Sequence, residues 1–216
     1  MAFRTPAILL LAALPSLSQV IVQPGAPGQA NHTLTPAAAY PKTRTPTEAD
    51  IYFMQGMIHH HSQAVEMTGL LRTRSRNKKL QSLGEKITIS QTDEMKSMKQ
   101  WLTDRGLPTT MEHKMDHSNM SGPHDMKNMN MAMPLMPGML TPEQMKALEK
   151  ATGPKFDRLF LTGMIQHHTG ALIMVEDLFD TAGAGQDALL FDFATDVDNT
   201  QSAEIRIMQN LLKEIK

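Results

Sequence analysis

Asp50-Ile51-Tyr52-Phe53-Met54-Gln55-Gly56-Met57-Ile58-His59-His60-His61-Ser62-Gln63-Ala64-Val65-Glu66-Met67 returns without a gap, 107 positions later, as Asp157-Arg158-Leu159-Phe160-Leu161-Thr162-Gly163-Met164-Ile165-Gln166-His167-His168-Thr169-Gly170-Ala171-Leu172-Ile173-Met174. Asp, Phe, Gly, Met, Ile, two His, Ala and Met recur in one order. Residues three and four apart share a helix face. Met57, His60, His61, Ala64 and Met67 therefore form one stripe, and Met164, His167, His168, Ala171 and Met174 its equivalent. Small Ala64 and Ala171 allow close helix approach. His59, whose counterpart is Gln166, falls off the stripe and reads as peripheral.

A second motif is also duplicated. Gln91-Thr92-Asp93-Glu94-Met95-Lys96-Ser97-Met98-Lys99-Gln100-Trp101-Leu102 matches Gln201-Ser202-Ala203-Glu204-Ile205-Arg206-Ile207-Met208-Gln209-Asn210-Leu211-Leu212. The unit is thus helix-turn-helix, twice. Thr45-Pro46-Thr47-Glu48 reads as a helix start with a Thr45 cap, and Thr141-Pro142-Glu143-Gln144 repeats the signature. Helices are expected from there to about Arg72, over Lys79–Thr103, from Thr141 to about Thr152, over Lys155–Thr181 and over Gln186–Lys216, with turns at residues 73–79 and 182–185. Two helical hairpins with short loops predict an all-α, antiparallel four-helix bundle. No stretch alternates with period two over β-branched residues, so no sheet is expected.

The organisation that follows is a signal peptide over 1–22, a Pro/Ala/Gly/Thr-rich flexible spacer over 23–44, and one helical domain over 45–216. Within it lie hairpin one (45–104), a flexible Met/His-rich connection (105–140) and hairpin two (141–216). Arg4 followed by an apolar run from Ala7 to Leu14, broken by Pro6 and Pro15, suits an export signal better than a membrane span. The mature protein is accordingly expected in the periplasm or secreted. Contact with a membrane is expected only through an uncleaved signal segment.

Composition narrows the function. With 21 basic against 22 acidic residues, the chain carries no electrostatic footprint for nucleic acid. It has no cysteine, which removes disulfides and thiolate ligands, yet it has 19 methionines. Ten of these fall between Met111 and Met145. Met111, His113, Met115, His117, Met120, His124, Met126, Met129, Met131, Met133 and Met136 interleave thioether and imidazole among Pro, Gly, Asn and Ser, with no periodic apolar face. Thioether is a soft neutral ligand that suits Cu(I), and by analogy Ag(I), and it persists where thiols would oxidise. The competing reading of this run is a flexible apolar linker or an adaptable methionine surface for protein contacts.

The repeated histidines also carry two readings. Buried imidazoles need partners, and Glu94 and Glu204, on the inward faces of the neighbouring helices, are the nearest candidates. The layer is then either a hydrogen-bonded polar register holding two halves together, or a metal centre in which Met57, His60, His61, Met164, His167 and His168 take part with Glu94 and Glu204. A di-iron oxidase would want Glu-x-x-His on two helices, and that tetrapeptide does not occur. No nucleophile triad, P-loop or dinucleotide fingerprint is present, so an enzyme is not expected.

Phe-x-x-Gly-Met-Ile-x-His-His-x-x-Ala, followed by Gln-x-x-Glu-[Met/Ile]-x-x-Met-x-x-[Trp/Leu]-Leu, resembles the exported bacterial family called domain of unknown function 305, over residues 47–104 and 154–214. The resemblance implies a ferritin-like helical bundle outside the cytoplasm and a link to copper binding and resistance. It points to Met57, His60, His61, Met164, His167 and His168 as the matching positions. Glu66 has no second-copy equivalent, its place being taken by Ile173. The function expected is Cu(I)/Ag(I) buffering or chaperoning, with Cu(II) also possible, served by a copper-donor or acceptor protein of the envelope. The alternative is an envelope structural or interaction module with architectural histidines.

Overall fold

The computed structural model describes residues 21–23, 30, 32–34, 44–111 and 135–215. The N-terminal unit, within residues 1–43, contains two strands, β1 (Ile21–Gln23) and β2 (His32–Leu34). They pair antiparallel with Ile21 opposite Leu34. This departs from the expectation of no sheet. Strands of three residues are too short to display a readable alternation.

The second unit, residues 44–216, is helical among its described residues: α1 (Glu48–Gly69), α2 (Leu71–Arg74), α3 (Lys78–Thr103), α4 (Pro142–Lys150), α5 (Gly153–Asp180) and α6 (Ala188–Glu214). Local chemistry sets the starts. The cap of α1 is Thr47, not Thr45: Thr47 Oγ1 accepts from Asp50 N at 3.1 Å and Asp50 Oδ2 accepts from Thr47 N at 2.8 Å. Pro46 therefore precedes the cap. Asp50, three residues after Thr47, closes the capping box in place of Glu48. Asn77 caps α3, Asp187 caps α6, and Thr141 with Gln144 forms the expected capping box on α4, with Pro142 opening that helix.

The four long helices are α1, α3, α5 and α6. α1 packs on α3, α5 packs on α6, and α1 meets α5 between the two hairpins. The core explains the directions. One apolar cluster joins Phe53, Met54, Met57 and Ile58 of α1 to Met98, Trp101 and Leu102 of α3, Ala171–Leu178 of α5 and Leu190–Val197 of α6. The other joins Ala64 and Met67 of α1 to Leu80–Ile87 of α3, Phe156–Met164 of α5 and Met208 of α6. Each hairpin is thus antiparallel, and α1 runs antiparallel to α5. His60, His61, Gln91, Glu94, His167, His168, Gln201 and Glu204 fall between the two clusters on all four helices, as a polar layer at mid-height.

The expected connection is packed at both ends. Met111 lies against the first cluster, and Met136, Met139 and Leu140 are buried in the core. Residues 135–141 run as a strap over α1 and α5. Gln63 Nε2 donates to Leu140 O at 3.0 Å, Leu140 N donates to Gln63 Oε1 at 2.7 Å, and Gln166 Nε2 reaches Gly138 O and Met139 O at 3.2 and 3.3 Å. The strap can lie this close because Gly138 has φ 75° and faces Gly170. A Cβ on Gly170 would strike the Pro137 carbonyl. The strap's order follows from this: its backbone polar groups have side-chain partners and its methionines fill core space. His113, Met115, His117, Met120, His124, Met126, Met129, Met131 and Met133, like most of the expected signal peptide and spacer, lie outside the described residues.

Candidate functional site

The four repeated imidazoles are fully buried. Met57 and Met164, one turn before them on α1 and α5, are equally buried. His61 Nε2 donates to Glu94 Oε2 at 2.6 Å, and His168 Nε2 to Glu204 Oε2 at 2.7 Å. Each of these pairs lies within one hairpin, between its first and second long helix. His60 and His167 instead use backbone. His60 Nε2 donates to Pro137 O of the strap at 3.0 Å, and His167 Nε2 donates to His60 O at 2.9 Å. A carbonyl has no proton to give, so Nε2 must carry the hydrogen in both rings. The partners of His60 and His167 were not legible beforehand, because a carbonyl acceptor has no residue signature. Gln63 and Gln166, which hold the strap, were likewise missed. The turn dipeptide Pro137-Gly138 was the available signal.

The electrostatics follow from burial. Loss of solvent drives the His60 imidazole down to about 3, and repulsion from His61, His168 and His59 adds to it, with the bond to Pro137 opposing. His167 is pushed well below the ordinary histidine range, first by burial and then by its neighbours His60, His168 and His61. Both rings are therefore neutral at physiological pH, with a bare Nδ1 lone pair. Burial alone would raise the Glu94 carboxyl. The His61 hydrogen bond and charge, helped by Ser90 Oγ donating to Oε1 at 2.6 Å, outweigh it and leave Glu94 below its ordinary value. His59 is half-buried off the stripe, and burial lowers it as well.

All four Nδ1 atoms, of His60, His61, His167 and His168, are buried with no hydrogen-bond partner, as are Gln91 Oε1 and both side-chain polar atoms of Gln201. A histidine that donates one ring N–H to a carboxylate or carbonyl and leaves the other nitrogen free is arranged as metal ligands usually are. Among the described residues, no three His, Asp or Glu side chains converge as a cage for a cation. Of the other expected ligands, Met111 is partly buried at the edge of the first cluster, and Met136 is buried within it. Among the described residues no helix is long and apolar enough to cross a membrane.

The family profile described as Domain of unknown function (DUF305) matches residues 50–212. No curated protein gives a significant match. Among solved structures, the chain is similar to a DUF305 protein of Streptomyces coelicolor described as secreted, at 30% identity and TM-score 0.61, covering 77% of this chain and 93% of that one. It is also similar to a DUF305 fragment from Deinococcus radiodurans at 26% identity and TM-score 0.63, covering 79% and 99%. CopM, solved in Cu(I)-bound form, shares the fold at 24% identity and TM-score 0.55, covering 76% and 96%. CopM has also been solved in Cu(II)-bound, Ag-bound and apo forms.

Proposed function

Because this chain belongs to the DUF305 family, we propose that it is an exported binder of soft metal, taking Cu(I) and, by the same chemistry, Ag(I), and buffering or chaperoning copper outside the cytoplasm. The chief support is the four buried Nδ1 atoms of the polar layer that have no hydrogen-bond partner. Four imidazoles are oriented through Nε2, their remaining nitrogens meet no donor, and the apolar clusters on either side place Met57 and Met164 one turn before the paired histidines. Neutral imidazole and thioether together suit a monovalent soft ion better than Mg, Ca or Zn. With no His/carboxylate cage among the described residues, an ion at this layer would draw on thioether as well as imidazole. Nδ1 of His60 and of His167 is already deprotonated, so no proton need leave those rings on binding. The Met/His run from Met111 to Met133 supplies the same two donor types in series, suited to capturing ions and passing them to the layer or to an envelope partner. The copper- and silver-bound forms of CopM are in keeping with this chemistry.

A second reading has its own observation. Every Nε2 is satisfied, by Glu94, Glu204, Pro137 O or His60 O, which is what an architectural polar register requires. An anaerobic Cu(I) titration against a chromophoric chelator separates the two. It is run on the full chain and on a variant whose methionines and histidines between residues 112 and 134 are replaced by serine. Tight binding that drops on replacement, with a residue of bound copper left over, is the expected result. Absence of binding in both proteins overturns the copper reading and leaves the architectural one.

A further inference from the structure

The internal repeat provides a built-in comparison. Gly56 and Gly163 occupy equivalent places, and each faces the last methionine of the other half's motif. A Cβ built on Gly163 would lie 3.3 Å from the Met67 methyl, and one on Gly56 would lie 3.5 Å from that of Met174. The strap then breaks the equivalence. Beside Gly163 it lays Leu140, and beside Gly56 it lays Met136, whose methyl and sulfur would sit 2.5 and 3.7 Å from such a Cβ. Two thioethers therefore meet at Gly56, and only one at Gly163.

Three further differences go the same way. Ala49 stands where the other half has the fully buried Phe156, which leaves a cavity of about 190 Å3 open on the Gly56 side. Tyr52 and Asp177, both lining that cavity, stand where the other half has Leu159 and Leu70. Tyr52 Oη lies 3.9 Å from Met136 Sδ as a donor to it. One half thus has leucine and phenylalanine at these places. The other presents two thioethers, a phenol and a carboxylate around a solvent-reachable hollow.

We propose that this hollow is a soft-metal site distinct from the histidine layer, in which the thioethers of Met136 and Met174 hold one Cu(I) or Ag(I) ion beside the carboxylate of Asp177. The assignment rests on the copper reading above. Two soft neutral sulfurs select a monovalent soft ion, the Asp177 carboxylate offsets its charge, and a buried thioether has already lost the rotamer freedom that binding would otherwise remove. Gly56 is the residue that lets both sulfur side chains approach the α1 backbone. Met136 also precedes Pro137, whose carbonyl holds His60, so an ion here sits one residue from a group that orients the layer.

The test is carbon NMR on the full chain carrying 13C-methyl methionine, titrated with Ag(I) nitrate. The methyl resonances are assigned by Met136→Leu, Met174→Leu and Met67→Leu variants. The expected result is that the Met136 and Met174 methyls shift together at the stoichiometry of one ion, while Met67, which meets no second thioether at Gly163, stays in place. The Met136→Leu/Met174→Leu double variant, with an unchanged melting temperature, is expected to bind one Ag(I) fewer. Shifts confined to other methionines, with Met136 and Met174 unmoved, overturn this site and leave the copper reading standing. No methyl shift anywhere overturns both.

Discussion

The rings of His60 and His167 meet across the α1–α5 interface with centroids 3.7 Å apart and planes inclined by 39°. These are equivalent positions of the repeat, so the two halves touch through the same residue type. The partners differ, however: His167 Nε2 donates to the backbone of His60, whereas His60 Nε2 donates to the strap. Burial and the neighbouring imidazoles disfavour protonation of either ring.

Acid should therefore destabilise the apo protein before its carboxylates titrate. His60 sits at about 3 when folded against 6.5 in its ordinary state, and His167 is shifted the same way. Between those values the unfolded chain binds protons that the folded chain refuses. For His60 this stability is complete above about pH 6.5 and is lost as pH falls toward 3, and His167 acts in the same direction. His60 should contribute a loss of roughly 2 kcal/mol by pH 5, and His167 a loss in the same direction. Glu94, whose folded value is depressed, adds a further loss in the same direction only below its ordinary 4.5. Urea unfolding midpoints at pH 7.5, 6 and 5 check this; a flat midpoint would mean that the buried rings accept protons without penalty.

Glu94→Ala removes the acceptor for a buried Nε2–H, and Glu204→Ala does the same in the other half. Each should lower apo stability by about 1–3 kcal/mol. Glu94→Gln, which keeps an acceptor oxygen, should lose less. Chemical denaturation of the three variants is the measurement, and equal losses for Gln and Ala would show that the hydrogen bond is immaterial.

Gly170→Ala should dislodge the strap, because the new methyl collides with the Pro137 carbonyl and with Gly138. A loss of about 1–3 kcal/mol is expected. Hydrogen exchange at Leu140 N, now bonded to Gln63, should speed up. Gly69→Ala is the control. Nothing lies within 4 Å of its Cβ position, and relief of helical glycine should be neutral or stabilising by up to about 1 kcal/mol.

Asp187→Ala should be the most damaging single change at the bundle end. Asp187 Oδ1 caps α6 at Leu190 N and also accepts from Trp101 Nε1 at 2.9 Å, while Oδ2 accepts from Arg105 at 2.7 Å. Burial would raise this carboxyl, but the Trp101, Leu190 and Arg105 donors together hold it below the ordinary range. Cap loss plus an orphaned indole N–H should remove about 2–4 kcal/mol. Thermal melts with tryptophan fluorescence report both the stability and the exposure of Trp101, and an unaltered melt would refute the assignment.

What the amino-acid order determined alone was the local and the periodic. The capping pattern Thr141-Pro142-Glu143-Gln144, the helix spans, the inward stripe of Met57, His60, His61 and Ala64, and the two-hairpin architecture all arise from interactions within a few residues and from a repeat read at one offset. The cap of α1 was displaced by one turn-forming pair because Thr45 and Thr47 present the same signature, and only the Asp50 carboxylate chooses between them. Tertiary structure decided the rest. Pro137 O serves His60 from 77 positions away, Gln63 grips Leu140, and Met136 joins Met174 beside Gly56. These contacts rest on backbone atoms, which are alike in every residue, and on the space left where Ala49 replaces a phenylalanine. Neither has a spacing in the sequence, so both exist only once distant segments have packed.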